Sequence, residues 1–331
     1  MKRLHLFPLA LLLAAAIATP GCHGNAGQPA TAGDQGQQQQ AGTTPSPMGP
    51  ELPGTVIAII ENHPAARPQS GLEKADLVYE AVTEGGITRF LAVFRRHAAA
   101  KIGPVRSVRI YFVEIAKAYA APLAHCGGNA DALEMIRRDR SFPDMDEIYN
   151  ASPYFWRSRD RRAPHNLYTS TDLLIEGARA KGLSLGPPPA LPEGETAGGN
   201  PAGSLKISFW RDRKYPNVVG WQYNGGRYLR FINNRPHLAE GGEQIAADNV
   251  TVLIATHRVV RKEEVQTEIA IPGQGPAMYF VGGRLFRGTW EKRSPEAHFQ
   301  YTLAGGQPMK FHPGQTWIEI VASENDVTVT R

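Results

Sequence analysis

Cysteine is nearly absent from the 331 residues, which contain only Cys22 and Cys126. That excludes a disulfide-stapled scaffold, which packs several cysteine pairs into a short chain. A large charge of one sign is lacking too: 36 basic residues face 31 acidic ones, for a net charge of +5. Without Lys2 and Arg3 the balance falls to 34 against 31. Neither half is a polycation, with 18 basic and 15 acidic residues over 55–183 and 16 and 12 over 204–331. Nucleic-acid binding, which calls for clustered Lys and Arg interleaved with aromatics, is therefore not expected. Long apolar runs are missing as well. The longest, Leu6 to Ile17, is too short to cross a hydrocarbon core of roughly 30 Å as a helix.

What that run does resemble is an export signal. Lys2 and Arg3 precede it, and Thr19-Pro20-Gly21-Cys22 follows, with a small residue directly before cysteine as in a bacterial lipobox. Residues 1–21 are read as a signal peptide and Cys22 as the lipidated mature N-terminus. Thr19 departs from the usual aliphatic residue, and plain secretion with cleavage nearby is the alternative. Residues 22–54 are Gly, Gln, Ala, Thr and Pro with little to bury, and are expected to form a disordered tether. As a flexible coil it would span on the order of 30 Å.

Hydrophobic patterning divides the remainder into an α+β domain over 55–183, a Pro/Gly-rich linker over 184–203 and a β-rich domain over 204–331. Val56–Ile60 reads as a buried strand. Ser70-Gly71-Leu72-Glu73 has capping-box spacing, and Leu77–Val82 and Ile87–Phe94 flank Glu84-Gly85-Gly86 as a hairpin. Helices are expected over Val108–Ala120, Asn129–Arg138 and Thr171–Lys181, with a strand at Pro122–His125. The second half reads as eight strands, among them Val250–Val260, with turns at Gly225-Gly226 and Gly282-Gly283. Its tryptophans are expected to pack on sheets. The fold class is α+β: a mixed α/β N-terminal domain followed by a β-rich C-terminal domain.

Several motifs occur in one order: Glu61-Asn62-His63-Pro64 through Gly71, Tyr79-Glu80, Glu84-Gly85-Gly86-Ile87-Thr88-Arg89, and Gly103-Pro104-Val105-Arg106-Ser107 with Arg109. His125, Gly127-Gly128, His165-Asn166-Leu167-Tyr168, Asn217 to Trp221 and Pro313 to Trp317 follow. Over both halves this resembles the YerB-like lipoproteins, whose halves are known as domain of unknown function 3048. The resemblance implies a place in the bacterial envelope and a two-domain plan, and it implies no reaction. Cys126 stands where a small residue is expected, which argues against an essential thiol.

The polar residues of these motifs fall at strand ends and loops, from which sheets commonly present ligands. Asn62, Arg67, Glu84, Arg89, Arg106, Ser107, Arg109, His125, Gly127, Gly128 and His165 are the candidate ligand-binding set, suited to a carboxylate or phosphate. The competing expectation is that the arginines pair with Glu61, Glu80 and Glu84 and merely hold loops. Glu61, Glu84 and His125 are the candidates for acid–base chemistry of the kind glycan-cleaving enzymes perform. No spacing supports zinc, and no metal or cofactor is expected. Arg157 to Arg162 reads as a solvated face, or as a contact for anionic headgroups or wall polymers. Three functions compete: a lipid-anchored extracytoplasmic binding or accessory protein held to the membrane through Cys22, with a cell-wall or envelope-protein partner; a wall-directed hydrolase; and a purely structural envelope protein.

Overall fold

A computed structural model of the chain describes residues 51–189, 191–210, 216–261 and 266–331. The signal peptide, Cys22 and nearly all of the expected tether lie outside these residues. Packing begins at Leu52, which is buried and donates its N–H to the Arg95 carbonyl.

The strands of the first half are β1 (Val56–Glu61), β2 (Leu77–Val82), β3 (Thr88–Phe94), β4 (Leu123–His125) and β5 (Asp144–Asp146). Its helices are α1 (Ile110–Ala116), α2 (Ala130–Arg138) and α3 (Thr171–Ala180). In the second half β6 (Ser204–Trp210), β7 (Asn217–Asn224) and β8 (Arg227–Ile232) are followed by β9 (Asn249–Ile254), β10 (His257–Arg261) and β11 (Gln266–Ile269). Then come β12 (Gly273–Val281), β13 (Arg284–Lys292), β14 (Gln300–Leu303), β15 (Thr316–Val321) and β16 (Val327–Thr330).

One sheet runs through both halves in the order β14-β13-β12-β9-β15-β2-β3-β1-β4-β5, with a short strand at Asn200–Pro201 added on β13. The junction is the parallel pair β2 and β15, with Glu80 opposite Glu319. Strands β6, β7, β8 and β16 form a second sheet, and β10 and β11 a separate hairpin. Because side chains alternate along a strand, β1 and its neighbours feed two cores. Ile57, Ile59, Tyr79 and Leu91 pack with Tyr111 and Phe112 of α1 and Ala132 and Ile136 of α2. Ala58, Ile60, Val78 and Phe90 face the other way, toward Leu174 of α3 and Leu205, Ile207, Val219 and Trp221 of the second sheet. The main sheet is thus the middle of three layers.

Side chains also cross between the halves. Gln315 Nε2 donates to the Leu72 and Ala75 carbonyls at 2.7 and 2.6 Å, and Asn217 Nδ2 donates to the Gly86 carbonyl at 3.1 Å. Gly86, at φ 75°, lies under Trp210, where a Cβ would come within 2.2 Å of the indole. Only glycine suits both the left-handed backbone and that approach.

Three expectations are corrected. Ser70-Gly71-Leu72-Glu73 makes a 3-10 turn over Leu72–Lys74 but no capping box: Gly71, with φ 88°, precedes the turn, and the Ser70 hydroxyl instead donates to Glu240 at 2.7 Å. Val250–Val260 is not one strand. It breaks after Ile254, and the β10 segment leaves the main sheet to pair with β11. Helix α1 ends at Ala116, followed by a 3-10 turn over Lys117–Tyr119 that closes at Ala120 with φ 46°.

Candidate functional site

Strands β1, β2, β4 and β5 point the same way, so their carboxyl ends share one edge of the sheet. Strand β3 runs opposite and begins there. Glu61 to His63, Thr83-Glu84, Arg89, His125 to Gly128 and Asp146-Glu147 therefore gather along this edge, and residues 105–109 cross it through the bridge between Ile60 and Val105. The alternation that sorts the cores also sorts these polar groups onto two faces.

On the helical face Glu61 continues the row of Ile57 and Ile59 and stands opposite Arg89 in register. Its carboxylate lies 3.2 Å from Arg106 Nε and 2.9 Å from His165 Nδ1, and the His165 ring stacks on His63 with centroids 4.7 Å apart. Burial, followed by the neighbouring His165, lowers the pKa of His63. Arg106 Nε is buried and not aligned for a hydrogen bond, although the side chain as a whole is 28% exposed. Beside it, Arg109 grips Glu84 through two bonds of 2.5 Å, while Arg89 Nη2 stands 3.6 Å from the same carboxylate and Arg89 Nη1 donates to the Ser107 carbonyl. Burial opposes the charge on Glu84, but Arg109 and Arg89 outweigh it and hold the carboxyl below its usual range. Burial brings Arg89 down to about 10, with Arg109 adding to the effect. A cavity of about 340 Å³ opens next to this cluster, lined by Glu84, Ser107, Arg109, Gly128, Asn129, Ala130, Asp131 and Gln266.

The opposite face is closed. Asn62 donates to Glu80 and to Thr88 Oγ1, and accepts from Arg67 Nε and Gln69 Nε2. Glu80 also accepts from Arg230 Nη2 at 2.5 Å, and Arg230 Nη1 donates to Glu319 at 2.9 Å. Arg230 Nε donates to His237, whose other nitrogen meets Gln69 Oε1 at 2.8 Å. Trp221 Nε1 donates to Glu319, and the guanidinium lies 4.4 Å over the Trp317 ring. Arg230, Glu80 and Glu319 have no exposed surface. Burial, with Arg230 and Arg67 adding to it, drives His237 far below the ordinary imidazole range and keeps the ring neutral. Burial first and Glu80 second raise Glu319 far above the carboxylate range, against the pull of Arg230.

The candidate residues are thus divided. Glu61, Glu84, Arg89, Arg106, Ser107, Arg109 and His165 stand on the helical face, whereas Asn62 and Arg67 belong to the closed network. His125 is fully enclosed, with Nδ1 at 2.9 Å from the Gly127 carbonyl and Nε2 at 2.7 Å from Asp144, so it has no free edge for a ligand. Gly127 turns the chain at φ 62° and donates its N–H to Asp146, and Gly128 lines the cavity. Cys126 points away from His125 and toward Glu147. In the arginine run, Arg157 is 3.5 Å from Glu147, and Arg161 donates to the Ala66 and Pro68 carbonyls at 2.6 Å. Among the described residues no three His, Cys, Asp or Glu side chains gather as a metal site.

Arg230, His237, Glu319, Gln69 and Gln266 escaped the reading of the sequence. Two of them carried a signal. Arg230 falls between Tyr228 and Ile232 on the inward row of β8, and Glu319 lies between Ile318 and Ile320 in a wholly buried strand. A charge in an inward row implies a buried partner.

An α+β chain of two interlocked halves with a polar strand-end edge is the class that these observations define. The family described as "Protein of unknown function (DUF3048) N-terminal domain" matches residues 43–184, and its C-terminal counterpart matches residues 205–318. The chain belongs to this family. It is 28% identical over 284 residues to "Putative lipoprotein YerB" of Bacillus subtilis (strain 168), covering 83% of each chain. The crystal structure of the Bacillus subtilis YerB protein superposes with a TM-score of 0.76, at 28% identity, over 85% of this chain and 94% of that one.

Proposed function

We propose that the protein is an extracytoplasmic lipoprotein, anchored through lipid on Cys22, that binds a polar or anionic envelope ligand along the strand-end edge. The relative's name supports the anchor. The observation that carries the binding reading is a surplus of cationic groups: three arginines, Arg89, Arg106 and Arg109, share two carboxylates, Glu61 and Glu84. The Arg106 side chain is 28% exposed, and its Nη groups, which no described residue engages, favour a carboxylate or phosphate oxygen. The folded body begins at the opposite end of β1, about 20 Å away for a six-residue strand.

Hydrolysis of wall glycan or peptide is the second reading. The 2.9 Å contact of Glu61 with His165 favours it, since a carboxylate orienting an imidazole is a usual acid–base unit. Glu84 fits that reading less well, being held on both oxygens by Arg109.

The test is Arg106→Ala, measured for binding of soluble cell-wall fragments and for thermal stability. Binding should fall about tenfold or more, as expected for loss of a charge-assisted bond. The melting temperature should fall only modestly, because Arg106 is partly exposed and the buried Glu61 carboxylate keeps His165 at 2.9 Å as a partner. A large stability loss with unchanged binding would reduce Arg106 to a loop-holding group.

A further inference from the structure

The cavity beside Glu84 has features that neither the edge nor the closed network requires. Helix α2 starts at its wall, and the first bond along the helix is from Leu133 N–H to the Asn129 carbonyl, so the amides of Ala130 and Asp131 precede the ladder. Asn129, the residue before the helix, makes no capping bond, and its buried Oδ1 has no partner. Across the cavity stands Gln266 of β11, a residue of the second half. It is 6% exposed, and no hydrogen bond engages its side-chain amide among the described residues. Its amide therefore reaches the solvent of the cavity rather than a protein partner, which leaves its donor and acceptor available to a ligand.

The charges limit what that ligand is. Arg89 and Arg109 exceed Glu84 by one positive charge, the α2 N-terminus adds a partial positive charge, and exposed Asp131 opposes them at the mouth. The balance suits one negative charge. A dianion would stand against both Glu84 and Asp131. Ser107 and the helix amides offer donors for a carboxylate, while Asn129 Oδ1 and the Gln266 amide offer an acceptor and a donor–acceptor pair that match a peptide N–H and C=O.

We infer that this cavity binds the free carboxyl end of a peptide together with its last amide, the carboxylate on the α2 N-terminus and the amide between Asn129 and Gln266. This rests on the binding reading above and specifies its ligand. It also gives the second half a part in recognition, since Gln266 comes from the β10–β11 hairpin.

The experiment is calorimetric titration of the full mature chain in detergent with N-acetyl-dialanine, as free acid and as C-terminal amide, each in its L,L and D,D form. The free acid should bind and the amide should bind at least tenfold more weakly. The D,D acid should bind more tightly than the L,L acid, as the end of a wall peptide would, and tighter binding of the L,L acid, the mark of a protein tail, would overturn a wall ligand. Gln266→Leu and Asn129→Ala should each weaken binding of the acid by about 3–10-fold, the range for one hydrogen bond, with little change in melting temperature. Equal binding of acid and amide, or no binding of either, overturns the assignment. Wall fragments that lose affinity in Arg106→Ala but are indifferent to Gln266→Leu would overturn it too, while leaving the edge as a binding site.

Discussion

The two faces of the main sheet carry the same residue types at nearly the same height, yet they treat them oppositely. On one face Glu80, Glu319 and Arg230 are sealed under Trp221 and Trp317, and the guanidinium bonds both carboxyls and His237. On the other, Glu61, Glu84, Arg89, Arg106 and Arg109 pair only in part, with side chains up to 32% exposed and Arg106 Nε unbonded. The sealed set bridges residues 150 positions apart and so fastens β8 of the second half to β2 of the first. Full burial of every member, with one guanidinium bridging both carboxyls, marks structural chemistry, and partial exposure beside solvent marks groups available to something else.

The sharpest way to break this contrast is Arg230→Ala. Removing the common partner leaves Glu80 and Glu319 buried together, and loss of one member of a buried ionic set costs about 3–5 kcal/mol. Urea denaturation should therefore show a large fall in midpoint, or no folded protein, whereas Arg106→Ala on the open face should cost clearly less, since Arg106 is partly exposed and Glu61 keeps His165 as a partner. Equal effects of the two variants would erase the distinction between the faces.

A smaller effect separates the two carboxyls of the sealed set. Glu80 accepts from Asn62 and Thr88 on one oxygen and Arg230 on the other, so in Glu80→Gln an amide N–H must face a donor, at a cost of about 1–3 kcal/mol. Glu319 accepts from Trp221 and Arg230 on Oε1, while its buried Oε2 receives no bond. Its raised pKa means that the folded state keeps a proton which the unfolded chain releases above the ordinary carboxylate value of 4.5. That stabilisation is complete at low pH and declines as pH rises beyond 4.5. Glu319→Gln retains an acceptor and supplies a permanent donor. It should match or exceed the wild type at pH 7 and flatten that decline, a result read from urea midpoints between pH 4.5 and 8. His237 acts in the other sense. Its lowered pKa means that stability is present above 6.5 and is lost as pH falls below it, in both the wild type and Glu319→Gln. A Glu319→Gln variant as damaged as Glu80→Gln would show that Glu319 is not the protonated partner.

The open face was more legible in the sequence than the sealed one, for a physical reason. Glu84-Gly85-Gly86 between two apolar runs gives a hairpin because only its tip needs a special backbone, and that information is local. Glu61, Arg106 and His165 follow apolar strands or begin loops, so their place at an edge can be read from neighbours in the chain. Arg230 meets Glu80 only after β2 and β15 pair across the halves, and nothing near either residue encodes that junction. Asn62 and Arg67 share one short stretch of chain with Glu61, and on sequence alone nothing separates them from the edge. One step along a strand reverses the side chain, and this sends Asn62 into the sealed network.

The smallest expected effect is that of Cys126→Ala, which tests whether the open face is organised by backbone rather than by this side chain. The Cys126 N–H donates to the Arg106 carbonyl, a bond that alanine preserves. Its thiol is half-buried and reaches Glu147 Oε2 at 3.3 Å, a weak bond to lose. Burial first and Glu147 second push the thiol up to about 11. Relative to a free thiol near 8.5, the thiolate fraction at pH 8 falls on the order of a hundredfold, and alkylation of the folded protein should slow accordingly. Glu147→Gln removes the negative neighbour and should quicken alkylation, while Cys126→Ala should leave wall-fragment binding unchanged and shift stability by about 1 kcal/mol or less. Fast alkylation of the folded wild type, or weakened binding in the alanine variant, would place Cys126 among the working groups of the open face.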